Sequence, residues 1–230
     1  MTTTAQSIIQ EAQTTLIDVA GNRHPASELV RALNDMQRAI HAVRPDSTAT
    51  STALTLVQGV VQTLPATASC LIEITSLAAS PYSAVRQARR ERLDAVEPGW
   101  RALTATATIK HYMYDPRHPR RYEVYPPAIA DTQLSAIVSA YPTDVSAPSG
   151  DGKAYTTVSG NISLGDEFKN ALYHLIVYRA YLKGAEYAND PAMAELHLKM
   201  AVQDVGESLL ARLQVKPGVT SDATAAEAPQ

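Results

Sequence analysis

The sequence predicts an α+β fold, mainly a helical bundle built from the N- and C-terminal helix pairs, with an inserted β-rich lobe and a disordered C-terminal arm. Three observations carry this. Apolar residues recur at three- and four-residue spacing in the first fifty residues and again after residue 166. Short β-branched runs cut by Gly and Pro lie between them. Strand-like and helix-like segments are segregated rather than alternating, which argues against a doubly wound parallel sheet. The expected units are 1–50 (N-terminal helices), 51–165 (β-rich lobe), 166–216 (C-terminal helices) and 217–230 (flexible arm).

The first helix carries Ile8, Ile9, Ala12, Leu16 and Val19 on one stripe and fades near Gly21-Asn22, which is turn chemistry. The second runs over 26–43 with Leu29, Val30, Leu33, Ile40 and Val43 aligned and Pro25 in the first turn. Arg44-Pro45-Asp46 stops it, since the residue before a proline is pushed out of the helical region. Residues 47–52 read as a polar loop. Residues 54–57 and 60–64 read as a pair of strands around Gly59, closed by Pro65. The run 70–77 fits strand or helix equally. Residues 91–96 predict a short helix ended by Pro98-Gly99. Residues 104–114 and 121–125 predict a hairpin whose open loop holds Pro116 and Pro119. A strand follows at 134–141, then a flexible Pro/Ser/Gly linker at 142–153, then a last strand at 156–162. Asp166 caps a helix over 167–187, and Asp190-Pro191 starts another that ends at Pro217-Gly218.

The chain has 230 residues, with 20 Lys and Arg against 23 Asp and Glu. A net charge of −3 excludes a globally basic nucleic-acid coat. The lone Cys70 excludes an internal disulfide framework and a multi-thiolate zinc site, and reads as a small buried hydrophobe. The start, Met1-Thr2-Thr3-Thr4, lacks the basic, apolar pattern of a signal peptide, and no run is apolar enough for a membrane span. Eleven Tyr against one Phe and one Trp favour partly wet interfaces.

Catalytic motifs do not assemble. Asn161-Ile162-Ser163-Leu164-Gly165 lacks the first glycine of a nucleophile elbow. Gly152-Lys153 has Ala147 and Ala154 where a phosphate loop needs Gly and a hydroxyl. His111 and His118 flank Asp115 without metal-ligand spacing and read as loop histidines. His24, His41, His174 and His197 read as surface or partly packed, and Glu186 and Glu195 as separate carboxylates across a turn. No cofactor or metal site is expected.

The charge, however, is polarised. Residues 80–125 hold nine Lys and Arg against five Asp and Glu, while 186–230 hold three against seven. Arg86, Arg89, Arg90 and Arg92 cluster before and within the short helix, and Arg117, Arg120 and Arg121 lie in the hairpin loop. Such a cluster is either a solvated face or a docking surface for an acidic protein, a neighbouring subunit or DNA phosphates. An unrecognised enzyme would need a deep polar pocket with convergent ionisable groups.

Four stretches together resemble the head-to-tail adaptor (connector) proteins of tailed bacteriophages. They are Glu28-Leu29-Val30-Arg31-Ala32-Leu33-Asn34-Asp35 running on to Arg44-Pro45-Asp46; Leu56 through Pro65; His111-Tyr112-Met113-Tyr114-Asp115-Pro116 with Tyr122-Glu123-Val124-Tyr125-Pro126-Pro127; and Tyr178-Arg179-Ala180-Tyr181-Leu182-Lys183 with Ala185-Glu186. The resemblance implies a non-enzymatic virion protein that forms a ring, usually of twelve copies, under the portal. Such a ring extends the DNA channel without reading sequence and receives tail or nozzle proteins, in the neck of a particle assembled in the host cytoplasm. It implies interfaces at the arginine cluster and at Tyr125, Tyr178, Arg179 and Tyr181. It also implies a portal-contacting arm marked by Pro217, Thr220 and Gln230, with that arm and the 142–153 linker ordering on contact. The alternative is a DNA-binding protein using Arg86–Arg92.

Overall fold

The computed structural model describes residues 3–183 and 190–213. Helix α1 (Ala5–Thr15) starts at Thr4, whose hydroxyl accepts the Ser7 N–H, and buries Ile8, Ile9 and Ala12. It ends before the predicted stripe does. The Asp18 carboxylate accepts the N–H groups of Asn22, Arg23 and His24, a local turn that competes with further helix. Ile17 enters the left-handed region (φ 52°), and it and Val19 face solvent. Helix α2 (Ala26–Val43) has the predicted span, but Pro25 stands just outside it as N-cap. The free N–H groups of Ala26 and Ser27 are taken by the carbonyls of Lys153 and Gly152 rather than by a side chain.

The middle of the chain forms two four-stranded sheets. One has the order β1-β8-β3-β4, with β1 (Ala49–Thr55), β3 (Ala68–Leu77), β4 (Ser80–Ala84) and β8 (Gln133–Ala140). The other has the order β2-β7-β6-β5, with β2 (Gly59–Thr63), β5 (Arg86–Gln87), β6 (His111–Tyr114) and β7 (Arg121–Ala128). They pack on a shared core that includes Leu54, Leu71, Ile74 and Leu134 from the first and Tyr112, Tyr122 and Val124 from the second. Helix α3 (Arg90–Val96) follows β5.

Several expectations change here. Residues 49–52, read as loop, are strand, because β8 offers a full ladder from Ala49–Ser139 to Thr55–Gln133 and pairing outweighs weak local preference. The strands around Gly59 do not pair with each other: with φ 111° at Gly59, β2 is sent to the other sheet, against β7. The run left open at 70–77 is strand. The predicted hairpin forms as β6–β7, although its first arm is strand only from His111. No strand forms at 156–162, where a 3-10 turn (Tyr155–Thr157) and a single Thr4–Asn161 bridge take its place.

The segment read as a flexible linker, 142–153, is laced to the helices. The Asn34 side chain bonds both the N–H and the C=O of buried Val145, and Gln13 donates to the Lys153 carbonyl. Buried polar side chains, which hydropathy patterns score as surface, do this work. Val145, Val158, Ile162 and Leu164 therefore pack with the helices.

Helix α4 (Lys169–Tyr181) lacks the predicted Asp166 cap. Asp166 instead opens a 3-10 turn (Asp166–Phe168) and accepts the Thr3 N–H at 2.7 Å. Helix α5 (Pro191–Val205) starts as predicted, with Asp190 accepting the Met193 N–H and Pro191 in the first turn. It breaks at Gly206 (φ 110°) and resumes as α6 (Ser208–Leu213), where a single helix was expected. The C-terminal arm with Pro217, Thr220 and Gln230, like Glu186 and Tyr187, lies outside the described residues. Residues of all five terminal helices join one apolar cluster around Ile9, Leu33, Ile40, Leu172, Leu175, Ile176 and Leu209, with Ala201 and Val205 from α5.

The two cores meet at a polar knot after α2. Ser139 on β8 donates to the Pro45 carbonyl (2.6 Å), and Thr48 sits between His41 Nδ1 (3.0 Å) and the Ser139 hydroxyl (3.1 Å). All three side chains are buried, so these bonds are worth more than surface ones. No helix among the described residues is long and apolar enough to cross a membrane.

Candidate assembly surface

The arginine cluster is organised by α3 and by what holds it. Trp100 is fully buried and donates its indole N–H to Asp94 of α3 at 2.8 Å. Arg101 stacks on that indole, its guanidinium 4.3 Å from the ring, and pairs with the same Asp94 at 2.7 Å. Glu123 of β7, nearly buried, takes Arg90 at 3.1 Å and lies 3.9 Å from Arg101. Two guanidiniums make that burial tolerable for a carboxylate. Tyr125 donates its hydroxyl to Glu97 at 2.6 Å, just past the end of the helix, and this bond raises the phenol's pKa. A seven-residue helix without a side-chain cap is thus held to β7 through Arg90–Glu123 and Glu97–Tyr125, and to the following Trp100–Arg101 turn through Asp94.

The clamp leaves other guanidiniums outward. Arg86, Arg89, Arg92 and Arg121 are exposed and make no ion pair or hydrogen bond from their side chains among the described residues. Arg89, Arg90 and Arg117 line a cleft of about 430 Å³ with Gln87, Met113 and Tyr114. Arg86, Arg89 and Arg92 line a second, of about 530 Å³, floored by Leu93 and Val96. Arg90 and Arg121 reach a third, smaller one beside Glu123. Arg117 is spent on Asp115 in the β6–β7 turn, a bidentate contact at 2.8 Å that holds the Asp115 pKa down to about 2. Arg120 donates to the Leu64 carbonyl. Exposed, unpaired guanidiniums beside shallow clefts suit carboxylate or phosphate groups on a partner.

The remaining singled-out residues sit elsewhere. Tyr178, Arg179 and Tyr181 belong to α4: Arg179 pairs with Asp35 of α2 at 3.2 Å, and Tyr181 stacks on His197. The fold does not bring them to the arginine surface. His111 is not a loop histidine; it lies in β6, stacked on Tyr125, while His118 is exposed in the turn. His24, His41 and His197 are buried rather than superficial. Cys70 is half-buried.

The sequence reading missed two constellations. One is the Trp100–Arg101–Asp94–Glu123 clamp, for which the lone Trp beside an Arg was the available signal. The other is a histidine pair: His174 of α4 and His197 of α5 meet Nδ1 to Nδ1 at 2.9 Å, so one ring donates and the other accepts. Nothing in their spacing marks them, because the two sit on different helices.

The family model described as SU10 adaptor protein matches residues 3–225. The chain belongs to this phage head-to-tail adaptor family. The match covers both the helical part and the two sheets, so the adaptor's arginine surface lies within it. No curated protein is significantly similar to the chain. An adaptor of this family is a structural component of the virion and associates with other virion proteins.

Proposed function

We propose that this adaptor closes into a ring of twelve copies in the phage neck, under the portal, where it extends the DNA channel and receives the tail or nozzle proteins. The family supports the adaptor role. The observation that carries the finer reading is the set of free guanidiniums, Arg86, Arg89, Arg92 and Arg121, held outward by a clamped α3. A ring needs two different surfaces that fit each other. The exposed acidic residues Asp190, Asp204 and Glu207, at the two ends of α5 and just before α6 and in no ion pair among the described residues, supply the opposite charge on the helical side. In this reading 1–50 and 166–216 act as a helical bundle and 51–165 as the inserted lobe, with 142–165 folded back on the helices. The arm marked by Pro217, Thr220 and Gln230 contacts the portal, the chain carries out no catalysis, and the genome passes without sequence-specific contact. Assembly takes place in the host cytoplasm.

Negative-stain electron microscopy of the purified chain, alone and mixed with the portal protein of the same genome, tests this. The expected result is a ring or a collar added to the portal, lost in the Arg89→Glu/Arg92→Glu variant. A monomer that ignores the portal overturns it. The same unpaired arginines favour one second reading, binding to DNA phosphates, which predicts a gel shift of linear duplex that weakens steeply with salt.

A further inference from the structure

Hydrogen bonds fix how far each charged surface stands from the junction between the helical part and the sheets. Arg89 is common to the two large arginine clefts. One of them is walled by Asp115, which opens the β6–β7 turn. That turn comes down on Leu64, whose N–H is taken by the Arg120 carbonyl (2.9 Å) and whose own carbonyl accepts the Arg120 guanidinium. A little farther along, Ala68 pairs with Ala140, and the Ala140 carbonyl accepts the Thr48 hydroxyl of the knot. Arg89 therefore marks the junction end of α3, with Arg92 and then Val96 farther out.

The acidic side is ordered in the same way. Gly165 gives its N–H to the Ser47 carbonyl, so α4 starts at the junction and runs away from it, and α5 packs along α4 and brings the chain back. The end of α5 is at the junction: Arg44, next to the knot, reaches the Val205 carbonyl (3.5 Å). There Gly206, at φ 110°, breaks the helix in a conformation that a side chain would strain. Asp204 and Glu207 stand exposed on either side of the break. Neither carboxylate has an ion pair or hydrogen bond among the described residues. Asp190 is at the other end of α5, about 21 Å away at a rise of about 1.5 Å per residue.

We propose that Arg89 of one copy meets Asp204 and Glu207 of the next, and that this corner-to-corner contact is the seam of the ring; the inference rests on the ring reading given above. The occupant follows from level and from sign. Copies related by rotation about one axis keep the same sense. In a ring of about twelve, neighbours turn by only about 30°, so side by side, groups that meet across a seam stand at nearly the same level. Arg89, Asp204 and Glu207 share the level of the junction. Asp190 does not, and about 21 Å is more than two Debye lengths of about 8 Å at physiological salt. Sign excludes a like-to-like contact, which would set guanidinium against guanidinium or carboxylate against carboxylate. The two corners lie on different parts of the chain, and no ion pair or hydrogen bond joins them within it. Each copy thus has one corner to give and one to receive, as a closed ring requires. The Arg89 fork suits a pair of carboxylates, and Arg86 and Arg92 flank it.

Charge exchange tests the seam, read by negative-stain electron microscopy of the chain mixed with the portal protein of the same genome. Arg89→Glu alone is expected to lose the ring, and so is Asp204→Arg/Glu207→Arg alone. An equimolar mixture of these two variants is expected to recover it with alternating copies, because each exchanged corner then meets its opposite and every other seam is native. Asp190→Asn, which keeps the cap of α5, should leave the ring intact. All variants should keep the wild-type far-UV spectrum and melting temperature, because the positions are exposed. A wild type that forms no ring overturns the ring reading and the seam with it. A wild-type ring that survives either exchange, a mixture that fails to recover it, or a ring lost in Asp190→Asn overturns the seam alone.

Discussion

The helical part and the β part use their charges in opposite ways. On the helices, ion pairs tie one element to another: Arg179 to Asp35, Lys183 to Glu28, Lys169 to Glu11, and Arg38 to Asp144 of the 142–153 segment. On the sheets, Glu123 and Asp94 hold α3 in place, and the neighbouring Arg86, Arg89, Arg92 and Arg121 have no side-chain partner among the described residues. The difference teaches where to look for partners. A surface whose charges are already matched internally gains little from a new contact, whereas an unmatched one gains the full pairing when a partner excludes water.

The comparison breaks most sharply in the cores. Leu172→Ala in the helical core and Leu134→Ala in the β core, both fully buried, should each cost about 2–5 kcal/mol. Trp100 is the chain's single tryptophan and sits in the β part, so its fluorescence reports that part while helical ellipticity reports the other. If the cores unfold separately, each variant shifts mainly its own signal in a urea melt. Coincident shifts would mean that the His41–Thr48–Ser139 knot makes them one unit.

Acid should discriminate between the two parts next. His24, His41, His174 and His197 all lie in the helical part, and burial holds each pKa below the ordinary 6.5; at His174 the charges of Asp204 and Glu11 pull it part of the way back. The unfolded chain therefore binds protons first as pH falls. The stability these groups contribute is complete above 6.5 and is lost as pH drops through the lowered values. The His174–His197 bond survives one added proton, which leaves a donor and an acceptor, but not two. Helical ellipticity should fade at a higher pH than Trp100 fluorescence changes, and simultaneous loss would contradict this.

Cutting the knot comes third. Ser139→Ala strips a buried donor from the Pro45 carbonyl and a partner from Thr48, at an expected cost of about 1–3 kcal/mol by chemical melt. The smallest effects belong to the surface. Arg179→Ala should cost at most about 1 kcal/mol, since its pair with Asp35 is exposed to solvent. Arg89→Ala should leave stability within about 0.5 kcal/mol of wild type while weakening assembly, because its exposed side chain has no ion pair or hydrogen bond among the described residues.

Much was legible in the sequence because it is local. The span of α2 follows from its apolar period and the Arg44-Pro45 stop, and the start of α5 from Asp190-Pro191. The strand content of the middle follows from its β-branched runs, and the arginine cluster from simple proximity along the chain. Tertiary structure alone decided which strands are partners. Gly59 separates two runs that looked like a pair and sends them to different sheets, and a ladder with β8 makes a strand of residues 49–52, which have weak preferences of their own. It also decided which polar residues are structural. Nothing in the local pattern marks Gln13, Asn34 and Gln62, yet their amides satisfy backbone groups more than a hundred residues away or close a sheet edge. The physical reason is common to both cases. Periodicity and turn chemistry act over a few residues, whereas hydrogen-bond satisfaction in a buried place depends on whichever segment the folded chain brings there.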